Sequence, residues 1–303
     1  MKLVKYIKKY NMKIDKQNGN VAFNDESHCY WNVNDNEKYI SVTTLIHRFT
    51  QPFDKDFWSA YKALEKLIPK ESWAVEKKSL LNSKKVDMEI LSLYNISEND
   101  FNKTQQDILD TWDEENRKSC ERGTKIHAEL ENSFYKKSHE ISLRKFGIGG
   151  KFECKKDYPE LDLEYGVYPE YLIYRESDDG ILRIAGQVDL IIKSGNDIYI
   201  IDHKTNKKID QKGGFNTNTK STSKMKYPLN NLEDCNFYHY TLQLSTYAWM
   251  LQKLHPEFNI KGLIINHYDH NGKNTLYHCD YLKKEVERML YFYKKEIILE
   301  KQR

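Results

Sequence analysis

The chain has 303 residues, with 48 lysines and arginines against 45 aspartates and glutamates, for a formal net charge of +3. That length fits one large domain or two small ones, and so small a net charge shifts attention from the whole-molecule field to local clusters of charge. No apolar stretch approaches the ~18 residues of a membrane span, and Cys29, Cys120, Cys154, Cys235 and Cys279 stand singly, which argues against a disulfide framework.

In chain order, Met1 to Lys16 is basic but lacks a continuous apolar core, a small-residue cleavage site and the Arg/Ser bias of a transit peptide, so a cytoplasmic setting is expected. Val21 to Tyr39 reads as a small β-hairpin region with a turn near Asn34-Asp35-Asn36. Ser41 to Ile46 opens a helix, with Ser41 or Thr43 as cap. Phe53 to Leu67 carries Phe57, Trp58, Tyr61 and Leu64 at helical spacing. Residues 70–118 read as a charged helical arm, and a further helix covers about Glu115 to Tyr135. Strands follow at about 167–176, 181–193 and 197–204. A helix at about 235–254, a hairpin at about 260–281 and a terminal helix at about 282–300 complete the chain. Helices before and after a compact sheet define an α/β layered arrangement. The expected division is an N-terminal β-hairpin and helical region at 1–118 and a core at 119–303, with no internal repeat.

The most informative stretch is the run Gly186-Gln187-Val188-Asp189, continuing through a Gly195-Asn196 turn to Asp202-His203-Lys204-Thr205. Two apolar, β-rich runs around a two-residue turn predict a hairpin. Paired positions then sum to 391, which sets Asp189 opposite Asp202 with Cβ atoms about 4.5–5.5 Å apart. Two bare carboxylates at about 5 Å repel by about 3 kcal/mol at an effective dielectric near 20, so a divalent cation between them is the natural reading. Strand parity turns Lys204 to the same side as Asp202 and the His203 side chain to the other, leaving the His203 carbonyl as a hard oxygen ligand. Carboxylate oxygens suit Mg²⁺ or Mn²⁺, and a lysine beside such an ion can hold a nucleophilic water.

Three further groups belong with this hairpin. In Arg122-Gly123-Thr124-Lys125-Ile126-His127, His127 offers an imidazole ligand, with Glu131 one turn later on the same face. Gln243 and Tyr247 are i,i+4 neighbours suited to contacting phosphate or base. From Thr205 to Tyr227 a Gly/Ser/Thr/Asn/Lys stretch carries six lysines, Lys207 and Lys208 first, against one acid, Asp210. It reads as a long mobile loop suited to a polyanion.

Taken together, these motifs resemble the RecB-type branch of the PD-(D/E)XK nuclease superfamily. Gly123-Thr124-Lys125-Ile126-His127 is similar to its helical His motif, Gly186-Gln187-Val188-Asp189 to its first acidic motif, Asp202-His203-Lys204-Thr205 to D-x-K, and Gln243 with Tyr247 to Q-x-x-x-Y. The match covers about Arg122 to Leu251. Upstream, Ser41-Val42-Thr43-Thr44 with Phe53-Asp54 and Trp58 looks like the entry segment of phage exonucleases and the mitochondrial genome maintenance exonuclease.

The resemblance implies a restriction-endonuclease-like core, a central mixed β-sheet flanked by helices, with an N-terminal helical region. It implies that His127, Asp189, Asp202 and the His203 carbonyl hold Mg²⁺ or Mn²⁺, that Asp189, Asp202 and Lys204 are catalytic, and that Gln243 and Tyr247 contact the nucleic-acid strand and brace the site; Lys207 and Lys208 of the basic loop are expected to meet nucleic acid as well. Glu170 lies where relatives often carry an acid and is given no role. The cysteines of iron–sulfur relatives are missing, so no cluster is expected, and no helicase phosphate-binding loop is present, so any motor is a separate helicase or recombination partner. The expected activity is a DNA exonuclease of a bacterial or phage-infected cell, acting on single strands or DNA ends, with the helical region before residue 118 closing over a threaded strand. The alternatives are an endonuclease of repair, restriction or phage defence, and a non-catalytic DNA-binding module.

Overall fold

The computed structural model describes residues 14–137, 139–155, 163–216 and 220–302. The N-terminal reading up to residue 13 and positions 217–219 of the basic loop lie outside them. The chain forms two compact units: Met1–Gln51 with Lys125–Phe215 and Thr222–Arg303, and Pro52–Thr124 with Asn216–Ser221. The units therefore do not divide at residue 118, because the first strands of the chain join the sheet of the larger unit.

Those strands are β1 (Lys16–Asn18), β2 (Val21–Asn24), β3 (Cys29–Asn32) and β4 (Lys38–Ser41), an antiparallel meander where one hairpin was expected. The extra turn at 25–28 is tied by Asn24, whose Oδ1 accepts from the Ser27 N–H at 2.7 Å. Ser41 caps α1 (Val42–His47) by accepting from the Thr44 N–H at 3.0 Å.

The smaller unit is helical: α2 (Lys55–Leu67), α3 (Lys70–Ser83), α4 (Glu89–Leu93) and the first part of α5 (Glu98–Lys136). Asp54 caps α2 through the Phe57 N–H, and Phe57, Tyr61, Leu64, Leu80, Phe101 and Ile108 share its core. α5 is one continuous helix of 39 residues rather than an arm followed by a separate helix. Across the expected break, Arg117 pairs with Glu114 and Glu121, and Lys118 with Glu114, at i,i+3 and i,i+4 spacing. Such pairs support a helix where apolar periodicity is weak.

The larger unit continues with β5 (Ile141–Ser142) and β6 (Lys151–Phe152), then β7 (Gly166–Glu176), β8 (Arg183–Ser194) and β9 (Asp197–Lys204). The ribbon β10 (Phe215–Asn216) and β11 (Ser221–Thr222) precedes α6 (Asn236–Leu254), β12 (Asn259–Tyr268), β13 (Asn274–Cys279) and α7 (Lys283–Lys301). Among the described residues β1–β4, β7–β9, β12 and β13 form one nine-stranded mixed sheet. β8 is antiparallel to β7 and β9, whereas β12 lies parallel to β9 with α6 as the crossover that a parallel pair needs. One face packs Leu242, Leu244 and Leu251 of α6 with Val286 and Met289 of α7 and Leu45 of α1. The other packs Phe134 of α5 with Phe146, Phe152, Leu190 and Ile201. An α/β core with a central mixed sheet flanked by helices is thus present as expected.

The described end of the basic stretch after β9 is tied to the core rather than free. Met225, Leu229 and Leu232 are buried in the main core, the Ser223 N–H donates to the Gly214 carbonyl at 2.9 Å, and the Lys226 N–H to the Phe49 carbonyl at 2.7 Å. Met225 stands between Lys224 and Lys226 at the end of the stretch, and Leu229 and Leu232 anchor the chain just beyond it.

Candidate active site

The site begins at a fork in the sheet. β7 covers one edge of β8 along its length, while the other edge is shared by β4, at Ile184 and Ala185, and β9, from Leu190 onward. The expected register holds from Ser194↔Asp197 to Leu190↔Ile201. Beyond that pair the ladder stops. Asp189 turns Oδ2 to the backbone N–H of His203, which donates at 2.6 Å. The carboxylate takes the place of a ladder carbonyl, so Asp189 is fixed at the mouth of the fork.

Asp202 is 2% exposed, and its Oδ2 stands 2.7 Å from Lys204 Nζ. Burial pushes the Asp202 carboxyl up to about 6, with Lys204 opposing the shift and the charge of Asp189 adding to it. Burial works against the Lys204 charge, yet Asp202 and Asp189 hold its pKa above the ordinary lysine value. The charges of Asp202, Lys204 and Asp189 thus act on one another, while Asp189 and Asp202 lie beyond the last ladder pair of the hairpin, where the expected register no longer pairs them. The His203 ring faces the other side, where Asn266 donates to Nδ1 at 2.9 Å, and burial lowers its pKa to about 4. The ring is therefore neutral.

His127, on the part of α5 that belongs to the larger unit, brings Nδ1 to 3.6 Å from Asp189 Oδ2, its ring edge against His203. Glu170 completes the group: one ligand atom each from His127, Glu170 and Asp189 lie within 4.8 Å of one another. Glu170 has φ +52°, a left-handed conformation uncommon for a side chain of this size. The β7–β8 ladder skips the Glu170/Asp189 pair, and alternation changes there, with Tyr168 and Tyr171, and Val188 and Ile191, on one core face. Such an irregularity re-aims side chains next to a site. Gln187 donates to Glu170, and Lys16 of β1 stands 3.6 Å from it. Burial and then the Asp189 charge push the Glu170 carboxyl up to about 8, against Lys16. A carboxyl held protonated among further acids and an imidazole is a donor set that fits a hard dication.

α6 closes one side. Gln243 donates to Asp202 Oδ1 at 3.3 Å and to the Tyr247 hydroxyl at 3.2 Å. Tyr247 is 2% exposed, and its ring lies so close to Gly186 that an added Cβ would meet Cε1 at 2.6 Å. The expected strand contact is therefore not open to Tyr247: its ring is buried against Gly186, and its hydroxyl accepts from Gln243. Lys207 is exposed, and Lys208 is exposed and paired with Asp210 at 2.8 Å.

Glu170 and Lys16 are the residues that the sequence reading left without a role. Glu170 had one signal, an acid on the strand before Asp189. Lys16 had none, being brought in by the meander.

The chain belongs to the PD-(D/E)XK nuclease superfamily, whose family model matches residues 45–297. A solved structure titled "Crystal structure of SSO0001" is similar over 98% of this chain and 83% of that one, with 14% identity and a TM-score of 0.37. Comparison with curated proteins gives no match. The superfamily and the acidic group define the class, a nucleic-acid hydrolase of a kind that generally uses divalent metals. No described helix is long and apolar enough to cross a membrane.

Proposed function

We propose that the protein is a Mg²⁺- or Mn²⁺-dependent deoxyribonuclease, an exonuclease acting on single strands or DNA ends, of the RecB-like kind. The observation that carries the reading is the group of His127, Glu170 and Asp189, whose ligand atoms lie within 4.8 Å of one another, with the paired Asp202 and Lys204 flanking the His203 whose N–H donates to Asp189. Asp189, Asp202, His127 and the His203 carbonyl would hold the ion, with Glu170 added to that set. A bound dication supplies Lewis-acid charge to the phosphate and makes a water more acidic.

The chain's own groups do the rest. The Lys204 ammonium, anchored on Asp202, orients the attacking water and neutralises charge developing on a phosphoryl oxygen. The water gives up a proton to solvent as its oxygen bonds to phosphorus, the bond to the leaving sugar oxygen breaks, and that oxygen takes a proton from solvent. Gln243 holds Asp202 in place, and Lys207 and Lys208 offer positive charge to the strand.

The experiment is to incubate end-labelled linear single strands, blunt duplex and closed circles with the protein and each metal. Release of nucleotides from linear DNA, abolished by chelator and by Lys204→Ala, is the expected result. Rapid cutting of closed circles overturns the exonuclease, and unchanged cleavage by Lys204→Ala overturns the catalytic assignment.

A further inference from the structure

Tyr240 lies outside every motif discussed so far, yet it touches the residue on which the proposed chemistry turns. It precedes Gln243 by three positions and Tyr247 by seven on α6, so the three side chains share one helix face. Each grips a different part of the fork: Tyr247 packs on Gly186 of β8, Gln243 donates to Asp202, and the Tyr240 ring faces Lys204 with Nζ 4.7 Å from its centroid.

A lysine ends in a point charge on a flexible four-carbon stem. Asp202 Oδ2 holds the Lys204 ammonium at 2.7 Å, but a single carboxylate contact fixes a distance and not a direction. The π face of a tyrosine attracts a cation from within about 6 Å, more strongly where water is excluded. Lys204 is only 19% exposed at its side chain, and Tyr240 packs against the main core. Carboxylate and ring face together leave the ammonium one arrangement.

We propose that Tyr240 is a positioning residue that acts through Lys204, its aromatic face setting the direction of the ammonium. The inference rests on the nuclease reading for its catalytic purpose, and on the α6 geometry for the contact. It assigns the role to the ring and not to the hydroxyl. Tyr240→Phe keeps the contact, Tyr240→Trp keeps an aromatic face, and Tyr240→Leu removes it.

The test combines kinetics with a spectroscopic readout on the full chain. In the wild type and in Tyr240→Phe, ring current should shift the Lys204 methylene protons next to Nζ upfield of an exposed lysine, and Tyr240→Leu should return them. On linear single-stranded DNA, Tyr240→Leu should lower kcat about tenfold, the scale of a desolvated cation–π contact. KM and Mn²⁺ affinity by calorimetry should stay within about twofold, while Phe should match the wild type and Trp restore most of the loss. Unshifted lysine protons in the wild type, which need no variant to fold, overturn the contact. A Phe variant as slow as Leu, or a Leu variant as fast as wild type, overturns the positioning role. A wild type that cleaves nothing while its lysine protons are shifted refutes the nuclease reading, and the catalytic purpose of the contact with it.

Discussion

The backbone N–H of His203 donates to the side chain of Asp189 at 2.6 Å, Asp189 lying one residue and His203 two residues past the last ladder pair of β8 and β9. Asp189 thereby holds two positions: it closes the sheet where the strands part, and it offers carboxylate charge to His127 and to the candidate cation. The two roles separate by substitution. Asp189→Asn retains an oxygen acceptor for His203 without the charge. Its thermal midpoint should stay near that of the wild type, while Mn²⁺ affinity falls by more than about 100-fold, beyond what loss of a supporting residue costs a metal site. Asp189→Ala also leaves the His203 N–H without its partner, at a cost of about 1–3 kcal/mol in stability. Urea denaturation of the three metal-free proteins checks this, and equal stability of the Asn and Ala variants removes the structural role.

Glu170 makes the metal-free protein sensitive to pH. Its carboxyl is pushed from 4.5 to about 8, by burial first and by Asp189 second. Between those values the folded protein keeps a proton that the unfolded chain has lost. The stabilising contribution is complete below about 4.5 and disappears as pH rises through about 8, with a slope of at most about 1.4 kcal/mol per pH unit. Burial of Asp202, which rises to about 6, adds in the same direction at lower pH. The difference between wild type and Glu170→Gln isolates the Glu170 share. It should grow steadily from pH 5 to 8 in urea melts without metal. Binding of Mn²⁺ at pH 7 should release close to one proton more in the wild type than in the Gln variant, read from calorimetry in buffers of different ionisation enthalpy. Equal release in the two proteins would place Glu170 outside the metal set.

The segment after β9 provides a stability test of its own. Leu229 is fully buried, with Met225 and Leu232 in the same core. Leu229→Ala should cost about 2–5 kcal/mol, as for other buried leucines. A loss under about 0.5 kcal/mol in a urea melt, the size of a surface substitution, would mean that Leu229 does not anchor the chain in the core.

What the sequence disclosed and what it hid follow from the length of each connection. Gly195 and Asn196 form a two-residue turn, Gly195 with φ +63°, so hairpin register follows from arithmetic as far as Leu190↔Ile201, and Asp189, Asp202 and Lys204 lie beyond the point where the ladder ends. Between β7 and β8 the connection is Ser177 to Leu182, too long to set a register by itself, so the position of Glu170 beside Asp189 had no local signature. Its left-handed backbone had none either, since glutamate carries no preference for that region. Lys16 reaches Glu170 across 154 positions, a relation made by tertiary pairing of the meander. Helical spacing put Gln243 and Tyr247 on one face, but spacing says nothing about depth. Tyr247 proved to be core, because Gly186 leaves its ring a slot in the sheet.

That slot gives the sharpest test of how α6 is seated on the fork. A Cβ at residue 186 would lie 2.6 Å from Tyr247 Cε1, closer than real contacts allow, and 3.0 Å from its hydroxyl oxygen, a tight contact. Gly186→Ala must therefore displace a fully buried ring and, through its hydroxyl, Gln243 and Asp202. The expected loss is about 1–3 kcal/mol, the usual cost of overpacking. Tyr247→Leu alone removes the ring and leaves a void, which is also destabilising. In the double variant the added methyl occupies part of the vacated space, so the losses should fall short of additivity by about 0.5–3 kcal/mol. Strict additivity in the double-mutant cycle would mean that the two side chains do not meet.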